Sequence, residues 1–386
     1  MGATKTRKIA KNKRILFVVT EDWYFISHRL AFAKYLKTIG YDVAVATCVN
    51  SGGNVIIASG IQLFSLSKLK RGSLNPFNAM LAVIELAGIY SRFKPDILHH
   101  VALMPVVLGY FAACLSGVRR RVNAIAGLGF VFSSRTFKAR LIRLALMPIL
   151  MISLSGSRAI ALVQNEDNLV TLKQLPIKPR AFRLICGVGV NTSQFTPPSI
   201  EPVKQRVVLV ARMVWGKGIS DFVELANRFR DGGEQCEFVL VGGLDQNNPA
   251  SVPIDQLLKW NQSRCPAWVD HKIDMPQVLR CATLVCLPST YGEGVPKALI
   301  EAASCGRPIV AYDIAGCREV VHDGVNGFLV PPGDIDALEA VTRKLLGDTS
   351  DRLAMGRASR RLAVKEFSEA GIFKSIEAIY LEMLDR

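Results

Sequence analysis

Short runs of consecutive apolar residues alternate along this chain with stretches whose apolar positions recur every three or four residues. The first run, residues 14–20 (RILFVVT), is rich in β-branched side chains and shows no polar alternation. That pattern predicts a strand covered on both faces, as in a parallel sheet. Further runs predict strands at 42–47, 61–66, 97–100, 121–124, 159–163 and 181–185. Helical spacing between them predicts helices at 27–38, 76–93 and 105–115. Residues 186–202 hold three prolines and two glycines, which predicts a linker. The alternation then restarts, with strands expected at 206–211, 236–241, 283–287 and 308–312, a helix at 220–230, and helical spacing from 350 to the end. Strand–helix alternation in two blocks predicts an α/β protein of two domains, and 386 residues suit that number. The expected limits are a basic tail at 1–13, a first domain at 14–190, a second at 191–366, and a C-terminal helix at 367–386 that packs back toward the first domain.

Composition narrows the class. Half of the residues are hydrophobic, enough for two cores. Nine cysteines are scattered without a C-x-x-C pair, so buried reduced thiols are expected rather than zinc ligands or disulfides. That usage suits a reducing compartment. The basic residues 1–14 are not followed directly by an apolar stretch of signal-peptide kind. Residues 141–154 come nearest to a membrane span, but they are few and include Arg143 and Pro148. The net charge of +16 is uneven. Residues 1–190 carry 26 basic and 7 acidic side chains, and residues 191–386 carry 22 and 25. The first half is thus expected to face a polyanion or an anionic membrane. The imbalance is sharpest at 115–183, where twelve basic residues stand against Glu166 and Asp167. There Arg135, Lys138, Arg140 and Arg143 are interleaved with Phe130, Phe132, Phe137 and Leu141. Basic and large apolar side chains together compose an interfacial membrane segment. Phe132 and those four basic residues are the expected membrane-facing set.

The sharpest chemistry lies in residues 291–310, YGEGVPKALIEAASCGRPIV, where Glu293 and Glu301 have seven residues between them. Gly292 and Gly294 flank the first glutamate. Pro296 stands where a helix can start, since its missing N–H costs nothing at the first helical position. Glu293 is then expected on a turn, and Glu301 about two turns further on, inside the helix. The N–H groups available within residues 295–298, all but that of Pro296, would face an anion above the turn, and a carboxylate beside it suits sugar hydroxyls. Spacing alone is weak, because glutamate is common. The surrounding residues make the stretch specific. It resembles the E-x(7)-E signature of retaining glycosyltransferases of family 4, with Gly294, Val295, Pro296, Ala302, Ala303, Gly306, Pro308, Ile309 and Val310 also in place. The resemblance implies an α/β protein of GT-B fold, with two Rossmann-like domains facing across a cleft.

Other segments extend the resemblance to about residues 14–366. Residues 207–218 (VVLVARMVWGKG) match the family's strand–loop motif. There Arg212 and Lys217 would grip the donor diphosphate, two cations at the carboxyl end of a strand. Residues 239–243 and 287–289 match strand ends around the nucleotide, 268–278 falls where relatives place a base-contacting loop, and 315–330 follows the pattern behind the site. Residues 22–47 and 123–132 are similar to a narrower branch that extends bacterial lipid-linked oligosaccharides with N-acetylhexosamines, GalNAc among them. The resemblance implies that Arg212, Lys217 and Glu293 act in the reaction. It implies that Gly294, Val295, Pro296, Lys297 and Glu301 hold the donor, with Glu301 at the ribose. Two departures stand out. The first turn reads TEDWY at 20–24 in place of a Gly-rich turn, and Gly127-Leu128-Gly129 replaces the usual His-Gly. His28 is expected to take the sugar or acceptor contact with Gly127 and Gly129, ahead of His99 or His100.

The expectation is therefore a retaining, metal-independent transferase with no cofactor and a UDP-sugar as donor substrate. Its acceptor would be a polyprenyl-diphosphate-linked saccharide, met at the cytoplasmic face of the inner membrane, with no nucleic-acid partner. Two alternatives remain open: a UDP-sugar epimerase of the same shape, and a nucleic-acid-binding protein. The second rests on charge alone, without a helix-turn-helix, zinc or RNP-like signature. A hydrolase-type carboxylate pair is set aside. Eight helical steps would separate the glutamates by about 12 Å, whereas a retaining glycosidase needs roughly 5–5.5 Å.

Overall fold

The computed structural model describes residues 12–69, 75–125, 127, 137–245, 248–270, 274–292 and 294–385, with the backbone alone over 137–145. It divides into two units, Met1–Val188 with Ile372–Arg386, and Gly189–Gly371.

The first unit is built on seven parallel strands: β1 (Arg14–Glu21), β2 (Asp42–Cys48), β3 (Gln62–Ser65), β4 (Ile97–Val101), β5 (Arg121–Ile125), β6 (Gly156–Val163) and β7 (Pro179–Leu184). Their order is β3-β2-β1-β4-β5-β6-β7. Helices cover both faces, which is why the strand sequences lack polar alternation. In β1, Phe17 packs into one core with Phe25, Phe32 and Val45. Its neighbours Leu16 and Val18 enter another core with Leu86 and Tyr90. The C-terminal helix Glu369–Leu384 lays Ile372, Phe373, Ile376, Ile379, Tyr380 and Met383 into the first of these cores. Each such burial contributes about 1.5–3 kcal/mol.

The second unit holds six parallel strands: β8 (Arg206–Val210), β9 (Glu237–Val241), β10 (Ala267–Val269), β11 (Leu284–Leu287), β12 (Ile309–Tyr312) and β13 (Gly327–Val330). Their order is β10-β9-β8-β11-β12-β13. Strand β10 escapes the apolar pattern because it has three half-buried residues.

Several boundaries differ from expectation. The helix expected at 27–38 is two helices, Asp22–His28 and Leu30–Thr38, divided at Arg29 with φ −130°. It begins early because Asp22 accepts the N–H of Trp23, and also those of Asn50 and Gly52, 2.7–2.8 Å away. The helix expected at 105–115 runs Leu103–Ser116, since its first turn tolerates Pro105. The C-terminal tail is two helices, Thr349–Glu366 and Glu369–Leu384. They part where the Val190 N–H donates to Phe367 O at 2.8 Å and Val190 O accepts from Glu369 N at 3.0 Å. Most of the expected linker belongs to the second unit, where Arg360 donates to the carbonyls of Thr192 and Phe195.

Candidate functional site

Strand order reverses once in each sheet, between β1 and β4 and between β8 and β11. Open α/β sheets bind ligands at the carboxyl ends of the strands flanking such a point. In the second unit β8 runs into Arg212 and the single turn Trp215–Lys217, and β11 runs into the loop before helix Lys297–Ser304. The residues of the two expected motifs therefore meet. Gly216 O accepts from Ser289 Oγ at 3.1 Å and from Thr290 N at 3.0 Å. The Lys217 ammonium lies over the Tyr291 ring, 5.5 Å from its centroid, a cation–π arrangement. Two glycines permit the close approach. A Cβ on Gly218 (φ +74°) would fall 1.8 Å from Pro288 O, and one on Gly242 (φ +151°) 1.7 Å from Ala211 O.

Arg212 forms an ion pair with Asp245, and the same carboxylate accepts from Asn248 Nδ2 at 3.2 Å. Asp245 and Tyr291 were not among the residues singled out from sequence. The signal for Asp245 was an acid two residues after the glycine turn of β9.

Pro296 is the N-cap residue with φ −64° and ψ 115°, so the helix opens at Lys297, one residue later than expected. An extended ψ there keeps proline outside the helix proper. Gly294, Val295 and Pro296 are buried. The Lys297 ammonium lies 3.1 Å from Glu301 Oε1, with side chains 30% and 10% exposed. Burial pushes the Glu301 carboxyl above its ordinary range, and the charge of Lys297 opposes that rise. Glu369 is raised by burial too, again opposed by Lys297 and augmented by Glu301. The Lys297 charge thus pairs with Glu301 and also acts on Glu369. Glu293 lies outside the described residues, so the relation expected between the two glutamates stays an expectation.

In the first unit, His28 ends helix Asp22–His28. Its ring stacks on Tyr24 at 4.1 Å between centroids, and its Nδ1 is 2.6 Å from Ser27 Oγ. Gly127 follows β5, while Gly129, Phe132 and Arg135 lie outside the described residues. Lys138, Arg140 and Arg143 lie on helix Phe137–Leu154, where the backbone alone is described. His99 and His100 are core residues. His99 Nδ1 is 2.5 Å from the Tyr380 hydroxyl, and His100 contacts Asn123 and Tyr90. Burial lowers both, His100 to about 4. Trp268, the first residue of the stretch 268–278 expected to contact the base, lies in β10, and its indole N–H donates to Gly242 O at 3.0 Å, while 271–273 lie outside the described residues. Among the described residues, no group of three or more His, Cys, Asp or Glu could hold a metal ion.

Two family models match this chain. Residues 14–172 match the glycosyl transferase 4-like model and residues 192–362 match glycosyl transferases group 1. The chain is a glycosyltransferase. Its second half matches the group 1 model and its first half the 4-like model, and these halves are the two α/β domains of the GT-B fold. Similar proteins include the Campylobacter jejuni N,N'-diacetylbacillosaminyl-diphospho-undecaprenol alpha-1,3-N-acetylgalactosaminyltransferase, 27% identical over 83% of this chain and 84% of that protein. The Escherichia coli UDP-Gal:alpha-D-GlcNAc-diphosphoundecaprenol alpha-1,3-galactosyltransferase is 24% identical over 79% of this glycosyltransferase and 80% of its own length. Among solved structures, sucrose-phosphate synthase from Thermosynechococcus elongatus superposes with a TM-score of 0.79 at 17% identity, covering 97% of this chain and 100% of that one. Anabaena HepE in complex with UDP and glucose gives 0.76 at 17% identity, covering 96% and 100%.

Proposed function

We propose that this glycosyltransferase moves a sugar, an N-acetylhexosamine, from a UDP-sugar to a polyprenyl-diphosphate-linked saccharide in bacterial glycan synthesis. The observation that carries the reading is that the loop holding Lys217, just after Arg212, meets the loop leading to helix Lys297–Ser304 at the reversal point between β8 and β11. Two cations at a strand edge and a buried helix start suit a diphosphate. The C. jejuni and E. coli relatives are named for undecaprenol-diphosphate acceptors, and HepE was solved with UDP.

In the proposed reaction a new bond forms between an acceptor hydroxyl oxygen and the anomeric carbon as the bond to the UDP oxygen breaks. The donor phosphate oxygen takes the acceptor proton on the same face, so configuration is retained without a metal. Arg212 and Lys217 stabilise the charge that develops on the leaving diphosphate. Glu293 holds sugar hydroxyls, Glu301 holds the ribose, and His28 stands toward the acceptor.

The first unit is proposed to sit on the cytoplasmic face of the inner membrane. No described helix is long and apolar enough to cross a bilayer. Large apolar side chains are nonetheless exposed on neighbouring helices of this unit: Phe77, Met80 and Ile84 on Pro76–Phe93, and Phe111 and Leu115 on Leu103–Ser116. With the basic residues of 119–143, they support an interfacial role.

The test is radiolabel transfer from UDP-N-acetylhexosamines to a lipid-linked saccharide, with Glu293→Gln beside the native chain. The variant is expected to bind UDP as the native protein does and to lose turnover, since the glutamate would act on the sugar. Equal loss of UDP affinity and turnover would refute that role. A changed sugar nucleotide formed without acceptor would favour an epimerase.

A further inference from the structure

At the opposite, amino-terminal edge of the second sheet a cavity of about 310 Å³ opens beside Thr283 and Pro308, the residues just before β11 and β12. Small-molecule sites have volumes of roughly 300–1,000 Å³. Five arginines line it, Arg307, Arg352, Arg357, Arg360 and Arg361, against one carboxylate, Glu201.

The five do different jobs. Arg307 is 2% exposed. It forks onto Glu201 at 2.9 and 3.2 Å and gives its other hydrogens to the carbonyls of Ala282 and Cys305. That pair is internally neutral. Arg360 donates to the carbonyls of Thr192, Phe195 and Ser304, and Arg352 to those of Leu345 and Leu346. Carbonyl oxygens fix a guanidinium but do not cancel its charge. Arg357 and Arg361 are exposed, one turn apart on helix Thr349–Glu366. Like charges at that spacing destabilise a helix. The nearby Asp348 already accepts the N–H of Asp351 as the cap of the same helix. Packing explains Arg307 and Arg360. Carbonyl anchoring likewise explains Arg352, but neither explains why Arg357 and Arg361 bring two further positive charges to the same cavity.

We propose that this cavity binds a phosphomonoester, a second anion site at the sheet edge opposite Arg212 and Lys217. Planar guanidiniums match phosphate oxygens two at a time, and Arg352 and Arg360 are held in place before the ligand arrives. Arg360 also grips Ser304 O at 2.8 Å, at the far end of the helix that carries Lys297 and Glu301.

The test is calorimetric titration of glycerol 3-phosphate onto the full chain and onto Arg357→Gln/Arg361→Gln. Both positions are exposed and outside the machinery proposed for transfer, so the variant retains its fold and UDP affinity. To keep phosphate away from the other edge, the titration is repeated in an Arg212→Ala/Lys217→Ala background. UDP binding is measured separately, so failure of the donor reading is told apart from failure of this one. Saturable binding, weakened about tenfold or more by loss of the two charge-assisted contacts, is expected. Sedimentation with vesicles of phosphatidic acid in neutral lipid forms the second arm, with Arg135, Lys138, Arg140 and Arg143 replaced by Gln in both chains so that the first unit's own attraction to anionic lipid is removed, and binding is read as the excess over vesicles of neutral lipid alone. Loss of vesicle binding on Arg357→Gln/Arg361→Gln identifies a headgroup as the source, and unchanged vesicle binding with weakened glycerol 3-phosphate identifies a soluble ligand. Absence of saturable binding in both arms, or equal binding by the native chain and the variant, overturns the proposal.

Discussion

Replacing Lys297 with Met removes the ammonium that pairs with Glu301 and whose charge also reaches Glu369, while keeping an apolar stem. Breaking a fully buried ion pair from one side costs roughly 3–5 kcal/mol, and an exposed pair at i, i+4 is worth about 0.3–0.5 kcal/mol. With Lys297 30% and Glu301 10% exposed, the expected loss lies between these limits, about 1–3 kcal/mol at pH 8. The loss depends on pH, with a definite sign. Burial raises the Glu301 carboxyl above 4.5, so the folded state holds the proton more tightly than the unfolded state. Stability therefore falls as pH rises from about the unfolded value through the raised folded value. Lys297 restrains that fall. Without it the folded carboxyl rises further, and the added destabilisation is small near pH 5 and complete above the raised value. Urea unfolding followed by tryptophan fluorescence reports mainly on the second unit, which holds Trp215, Trp260 and Trp268 of the four tryptophans. Adding Glu301→Gln to Lys297→Met should restore part of the loss in a double-mutant cycle, the remainder belonging to Glu369. Equal destabilisation at pH 5 and pH 8, or strict additivity in the cycle, would refute this account of Lys297.

Arg212→Ala and Lys217→Ala should each lower kcat/KM by at least about 2–3 kcal/mol, the scale of removing a contact to a developing anion. Chelator should leave turnover unchanged; inactivation by EDTA reversed by manganese would contradict a metal-free reaction. Gly218→Ala should destabilise the second unit, because the new Cβ would meet Pro288 O at 1.8 Å and φ is +74°; an unchanged urea midpoint would show that the loops can part freely. Replacing Arg135, Lys138, Arg140 and Arg143 with Gln should weaken binding to anionic vesicles by up to about 1 kcal/mol per residue, and Phe77→Ser with Ile84→Ser should weaken the part that salt does not screen. Vesicle binding unaffected by either set would place the membrane contact elsewhere.

The central strands and the helix after Pro296 were legible because their determinants are local. An uninterrupted apolar run such as 14–20 can be satisfied only by cover on both faces, and strand β1 has it. Arg212 and Lys217 are five residues apart, on one strand and its loop. The pairing of Lys297 with Glu301 follows the i, i+4 spacing of a helix. Where determinants were tertiary, sequence reading faltered. His100 reads like a strand-end histidine, but Asn123 and Tyr90 absorb its nitrogens. The three residues of β10, Trp268 among them, are held by pairing with β9, which lies far away in sequence. Asp245 lies 33 residues from Arg212, and the two meet because β8 and β9 run side by side.

Glu369 illustrates the same limit more sharply. It stands 68 positions beyond Glu301 on the first turn of a different helix, so no spacing rule relates the two. The link is backbone pairing. Val190 binds Phe367 and Glu369 through its own N–H and C=O, and Gly189, at φ +85°, would set a Cβ 3.0 Å from the Glu369 backbone. The segment entering the second unit thus fixes the segment leaving it. In doing so it fixes a second acid within the field of the Lys297 charge. Beyond Gly371 the same helix turns Ile372, Phe373 and Ile376 into the core of the first unit. A substitution at Gly189 should therefore perturb the protonation of Glu369 as well as the crossing. The helical period of 369–384 is written in the sequence, but the partner of its first acid is set only once Val190 and Ser368 lie side by side.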